Sequence, residues 1–175
     1  MAKSKTRTQE WIDWIKAIMI VCIVAFLAHT FIATSSIVEG DSMYPTLEDG
    51  ERIFLNKFIY MVSTPNRGDI IIFERPEKKY VKRIIGLPNE TIEMKDHKLY
   101  VNDVEQDISY VDGFETKLTG DFGPVTIPDD HYFVLGDNRA ISKDSRNGLG
   151  FVSKSDIIGK TEIVMYPIPD WKRIK

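Results

Sequence analysis

Cysteine is almost absent from this 175-residue chain: Cys22 stands alone, inside an apolar N-terminal run. A disulfide framework is thereby excluded, and so is any multi-cysteine metal site. A basic excess is missing too. The chain has 23 Lys and Arg against 26 Asp and Glu, a net charge of -3. No cationic field is available to hold a polyanion, so nucleic acid is not an expected partner. The sequence also lacks internal repeats, low-complexity linkers and, after residue 40, any helical period of ten residues or more. A single domain with its appendages fits this length.

The even charge balance hides an asymmetry. Residues 1–16 carry Lys3, Lys5, Arg7 and Lys16 against Glu10 and Asp13. Residues 17–33 hold no charged side chain other than His29, taken as neutral, and the uncharged stretch continues to Val38. Glu39, Asp41, Glu48, Asp49 and Glu51 then follow with no base among them. A helix over 17–33 reaches roughly 25 Å and one over 17–38 roughly 33 Å, bracketing a hydrocarbon core of about 30 Å. Trp11 and Trp14 stand where interfacial indoles belong, and Lys16 can snorkel. The expected division is a basic cytoplasmic tail at 1–16, a transmembrane anchor at 17–35 and an extracytoplasmic domain at 36–175, by the positive-inside bias. A cleaved signal peptide and a buried core helix are the competing readings of the same run.

After the anchor, short alternating or β-branched runs are divided by turn signals. Expected strands are 36–39, 52–58, 69–73, 79–85, 91–94, 98–101, 132–135 and 157–166, with Lys95-Asp96-His97 as a hairpin loop. The outer region therefore reads as mainly β, built of short antiparallel strands. Residues 105–128 are the least regular and read as a mobile excursion.

Three segments carry candidate chemistry. In Gly40-Asp41-Ser42-Met43-Tyr44-Pro45-Thr46-Leu47 a serine ends an extended run, with a proline fixing the chain three residues on. Such a turn can hold a nucleophile and offer its own N–H to an oxyanion, although an ordinary turn serine looks the same. Tyr44 fills the place of the second glycine of a nucleophile elbow, which excludes that motif. In Tyr80-Val81-Lys82-Arg83-Ile84-Ile85, Lys82 alternates with residues suited to burial. Drawn into an apolar site it would lose its proton more easily, and a neutral amine can take a serine proton. A solvent-facing Lys82 is the alternative. The third segment, Gly136-Asp137-Asn138-Arg139 followed by Ser142-Lys143-Asp144-Ser145-Arg146, is a polar loop directly after an apolar strand. Asp144 and Arg146 are close enough to pair, and a surface loop with Asx turns is the alternative.

Taken in order, the anchor, the Ser-Met-x-Pro box at Ser42, Arg67-Gly68-Asp69-Ile70, Lys82-Arg83 and Gly136-Asp137-Asn138-Arg139 resemble the boxes of type I signal peptidases, in the compact form typical of Gram-positive bacteria. The resemblance covers nearly the whole chain. It implies a membrane-bound serine endopeptidase with a β-rich catalytic domain and a Ser-Lys dyad. Its substrates would be exported precursor proteins, cut at their signal peptides on the outer face of the cytoplasmic membrane. By motif match Ser42 would be the nucleophile and Lys82 the general base, with Ser142 hydrogen-bonded to Lys82 and Asp144 and Arg146 supporting the loop. Val38, Gly40, Met43, Leu47, Tyr80 and Val81 would form the substrate-binding walls selecting small side chains. No cofactor and no metal are implied.

Two departures from the family pattern stand out. Gly40 occupies a position where some relatives have a serine that assists the oxyanion, and Ala140-Ile141 replaces an acidic-polar pair. Rival readings are a Ser-His-Asp protease using His131, a self-cleaving repressor, and an inactive membrane-anchored binding module of the same fold. A metal site at Asp129, Asp130, Asp137 and Asp144 matches no calcium-loop spacing.

Overall fold

A computed structural model describes residues 7–31, 33–106, 119–166 and 172–173. Helix α1 (Arg7–Phe31) is followed by strand β1 (Ala33–Ile37). The helix thus begins well before residue 17, and 33–35, expected at the end of the anchor, are strand. Charge marks where an apolar run begins, not where a helix does, and Gln9, Glu10 and Trp11 continue the helix without a breaker. Among the described residues no helix is long and apolar enough to cross a membrane. The part of α1 with described side chains, 7–24, includes Arg7, Glu10, Asp13 and Lys16, and every one of its side chains is exposed.

The β architecture follows: β2 (Arg52–Asn56), β3 (Ile70–Glu74), β4 (Lys79–Gly86), β5 (Thr91–Lys95), β6 (Lys98–Val101), β7 (Val104–Gln106), β8 (Phe122–Thr126), β9 (His131–Leu135), β10 (Val152–Ser153), β11 (Ile157–Tyr166) and β12 (Lys172–Arg173). The main sheet runs β1-β2-β11-β3-β4-β9-β10, with β12 beside β11. A smaller sheet runs β7-β6-β5-β8. Every pairing in both sheets is antiparallel.

Burial on both faces explains why β3 reads as an unbroken apolar run. Ile70 and Ile72 join a core with Val38, Met43, Leu47, Ile53 and Leu55, while Ile71 and Phe73 join a second core with Tyr80, Ile84 and Val134. A third core, centred on Ile92, Leu99 and Phe133, joins the small sheet to the end of β4 and to β9.

Several expected boundaries shift. The run 36–39 forms a strand only to Ile37, because Val38 instead bonds the turn, donating to Glu51 O and accepting from Gly50 N. The strand expected over 52–58 stops at Asn56, whose side chain accepts from the N–H of Ile59 at the start of the short helix α2 (Ile59–Val62). Part of the expected mobile excursion lies outside the described residues, at 107–118. Its flanks are ordered strands, β7 and β8. Strand β8 escapes sequence reading because Gly123-Pro124 interrupts it, which is tolerable on an edge strand with a register shift.

Candidate active site

Ser42 sits in the turn between β1 and β2. Two buried side chains, Met43 and Leu47, hold this turn against the core, and Leu47 N–H closes it on Met43 O at 2.9 Å. Gly40 adopts φ +81°, a left-handed conformation that glycine takes without steric penalty, and its N–H donates to Asp49 Oδ1. The far side of the turn is fixed by the 136–146 loop, where Asn138 N–H donates to Ser42 O at 3.1 Å. Gly136 makes that approach possible: a Cβ there would collide with Ser42 O and with the Ser142 side chain.

Lys82 projects from β4, paired with Ile71 across the β3 ladder, so it shares a face with fully buried apolar side chains. It is only 2% exposed. Its Nζ lies 2.5 Å from Ser42 Oγ. Burial pushes the Lys82 amine down to about 8; Asp144 opposes this, Lys78 adds to it and Asp137 opposes it. Lys78 itself rests over the Tyr80 ring, 5.0 Å from its centroid.

A buried ionic frame surrounds this pair. Arg83 grips Asp137 with two teeth, Nε to Oδ1 at 2.9 Å and Nη2 to Oδ2 at 2.7 Å. Thr46 Oγ1 donates to the same carboxylate at 2.6 Å, and Arg83 Nη1 donates to Gly68 O. One salt bridge thus ties together the serine turn, β4, the turn entering β3 and the 136–146 loop. Within that loop Arg146 binds both oxygens of Asp144 at 2.9 Å, while Asp144 Oδ2 accepts from Gly136 N–H. Arg146 also donates to Thr119 O and Arg139 O. Sequence reading missed the Arg83–Asp137–Thr46 frame. Its members lie far apart in the chain, and they meet only when the sheet has formed.

The site residues expected from sequence fall into four groups. Ser42, Val38, Gly40, Met43, Tyr80, Val81 and Lys82 line one cleft of about 490 Å³. Leu47 does not reach it: fully buried, it supports Val38 and Met43 from behind. Asp144 and Arg146 brace the loop from outside the cleft. Ser142 Oγ is buried near Gly136 and makes no hydrogen bond among the described residues, to Lys82 included. Ile141 and Lys143 also line the cleft, although sequence reading gave them no role. His131 lies elsewhere, its Nδ1 2.7 Å from Asp129 O. Among the described residues no three His, Cys, Asp or Glu side chains gather as a metal ion would need.

A hydroxyl against a buried amine of lowered basicity, at the floor of a cleft between two strand segments, can perform acyl transfer on an extended peptide. The family model for "Signal peptidase, peptidase S26" matches residues 11–166. Signal peptidase I P of Bacillus subtilis subsp. natto is 49% identical over 175 residues, covering 95% of each chain. Signal peptidase I S of Bacillus subtilis strain 168 is 42% identical, with 98% of each chain covered. A signal peptidase I crystal structure from Enterococcus faecalis V583 has 36% identity and a TM-score of 0.49, covering 57% of this chain and 97% of that one. On the family match and these near full-length relatives, the chain belongs to the signal peptidase family, peptidase S26, and is a serine endopeptidase.

Proposed function

We propose that this chain is a membrane-anchored endopeptidase that removes N-terminal signal peptides from exported precursors by a Ser42–Lys82 dyad. The observation that carries the proposal is the 2.5 Å approach of Lys82 Nζ to Ser42 Oγ inside an apolar setting. With the amine neutral, the Ser42 O–H donates to Nζ and passes its proton there as Oγ attacks the scissile carbonyl. The Lys82 ammonium then protonates the departing amine. Lys82, neutral again, takes a proton from the water that resolves the acyl-enzyme.

The Ser42 N–H has no partner among the described residues, and it supplies the oxyanion donor. Gly40 gives no side-chain donor there. The precursor would lie as an extended strand between 36–40 and 79–81, where main-chain pairing tolerates varied sequences and the cleft-lining Val38, Met43 and Val81 would select small side chains. An inactive module would have no need to hold a lysine buried on a serine.

The anchor is the apolar continuation of α1. Ile15, Ile18, Met19, Ile20, Val21, Ile23 and Val24 are exposed around the helix rather than along one face, as a lipid-facing helix requires. Basic residues before the run and acids after it give a single-pass orientation with the N-terminus cytoplasmic and the catalytic β domain outside. About nine residues between the apolar run and Ser42 keep the dyad within roughly 30 Å of the bilayer, close to membrane-held substrates.

The test is processing of a signal-peptide-bearing precursor by the purified full chain. Cleavage at the end of the signal peptide that is abolished in Ser42→Ala is the expected result. Cleavage at wild-type rate by Ser42→Ala would refute the assignment of the nucleophile.

A further inference from the structure

Strand β4 divides the cleft into two ends. On one side of Lys82, residues 79–81 face the segment 36–40. On the other side β9 covers β4 from Arg83 onward, pairing Arg83 with Leu135, and the chain leaving β9 at Gly136 returns to the cleft as Ile141 and Lys143. The 141–143 segment therefore borders the cleft beyond the dyad, opposite the end where the small-residue walls lie.

Ile141 is held there by a rigid backbone. Ser142 N–H donates to Asn138 O at 3.0 Å, Asn147 Nδ2 donates to Ser142 O, and Asn138 N–H is the donor to Ser42 O. The turn carrying Ile141 is thus fastened to the nucleophile itself. Its side chain is nevertheless 63% exposed and joins none of the three apolar cores. Its buried neighbour Ser142 and exposed neighbour Ala140 leave Ile141 as the only large apolar side chain that the loop presents to the cleft. An isolated exposed isoleucine on a mobile surface loop would be unremarkable. One clamped beside a nucleophile is positioned to be covered by substrate.

We infer that Ile141 forms the apolar wall of a subsite for the peptide leaving the cleft, reading one of the first two residues after the scissile bond. The inference rests on the proposed Ser42–Lys82 cleft and adds a specificity determinant to it. An aliphatic side chain at that position covers Ile141 and is favoured, whereas a carboxylate loses hydration against it and is disfavoured. Partial burial of one such side chain corresponds to a preference of about fivefold in kcat/KM.

The test uses the full chain in detergent with one precursor randomised at the first two positions after the cut, cleaved in competition. At one of those positions the parent enzyme should favour Leu over Asp by about fivefold. Ile141→Asp should bring the ratio to about one or below, and Ile141→Leu should keep it. Ratios taken within each variant cancel a general change in activity, and Ile141→Ser, which should also flatten the preference, serves if Ile141→Asp folds poorly. Identical profiles at both positions for the parent, Ile141→Asp and Ile141→Ser would overturn the subsite. Ser42→Ala separates the two levels: cleavage of the library by that variant would defeat the cleft assignment, whereas its inactivity with an unchanged Ile141→Asp profile defeats only the subsite.

Discussion

At the residue scale the proposed chemistry turns on keeping one lysine uncharged. An amine with a pKa of about 8 is roughly one-tenth neutral at pH 7, against well under one-thousandth for an unperturbed lysine. A kcat/KM profile that rises with pH and levels off above about 8 is the expected signature, read from initial rates across the range. Lys78 contributes positive charge to that lowering, so Lys78→Gln should move the rising limb to higher pH and Lys78→Arg should restore it.

The same burial carries a stability consequence with a definite sign. Lys82 titrates near 8 in the fold and near 10.5 when unfolded, so between those values the unfolded chain holds more protons and stability rises with pH. Below pH 8 the full penalty applies. Lys82→Met should therefore stabilise the inactive protein at pH 7 by about 1–3 kcal/mol, less what the lost Ser42 contact contributed. The gain should vanish above about pH 10.5, as urea titrations at both values would show.

At the scale of elements, the 136–146 loop depends on a glycine for contact rather than for a special φ. Gly136→Ala places a methyl against Ser42 O and Ser142, and displacing Ser42, the proposed nucleophile, by even about 1 Å should lower kcat by around a hundredfold. Circular dichroism would show whether the fold is kept. Asp137 supports the same loop from within the ionic frame. Asp137→Ala leaves Arg83 buried without its carboxylate and should cost about 3–5 kcal/mol in denaturant unfolding.

The elements also show which features a sequence can reveal. Strands β3 to β6 and β9 were legible because their apolar runs are bounded by turn residues, and the Asp96-His97 hairpin takes positive φ at both positions as a two-residue turn demands. Strands β7 and β10 are too short to show a period, and β8 is broken by Gly123-Pro124. Ser42 and Lys82 were each ambiguous on their own and stood out through the order of the boxes around them, and local pattern could not decide which way Lys82 faced. That depended on Ile71 across the ladder. The Arg83–Asp137–Thr46 frame was invisible for the same reason, since its geometry arises only when the sheet forms.

At the scale of the whole molecule, one chain combines a helix with apolar residues exposed on all sides and an antiparallel β domain that buries Lys82 against Ser42. The ionic frame ties four separate segments to one another, so the dyad's spacing is a property of the folded sheet. The proposed membrane attachment would add concentration rather than chemistry. A tag placed after Lys175 should be reachable from outside intact cells and a tag before Met1 should not, with the reverse pattern contradicting the proposed orientation.

The central claim is that Lys82 is the base for Ser42. The most direct measurement is single-turnover cleavage of a precursor by folded, full-length Lys82→Ala at pH 8. A rate lowered by at least about a thousandfold is expected, because loss of the general base leaves only binding and the oxyanion donor. Turnover near the wild-type rate would contradict the dyad.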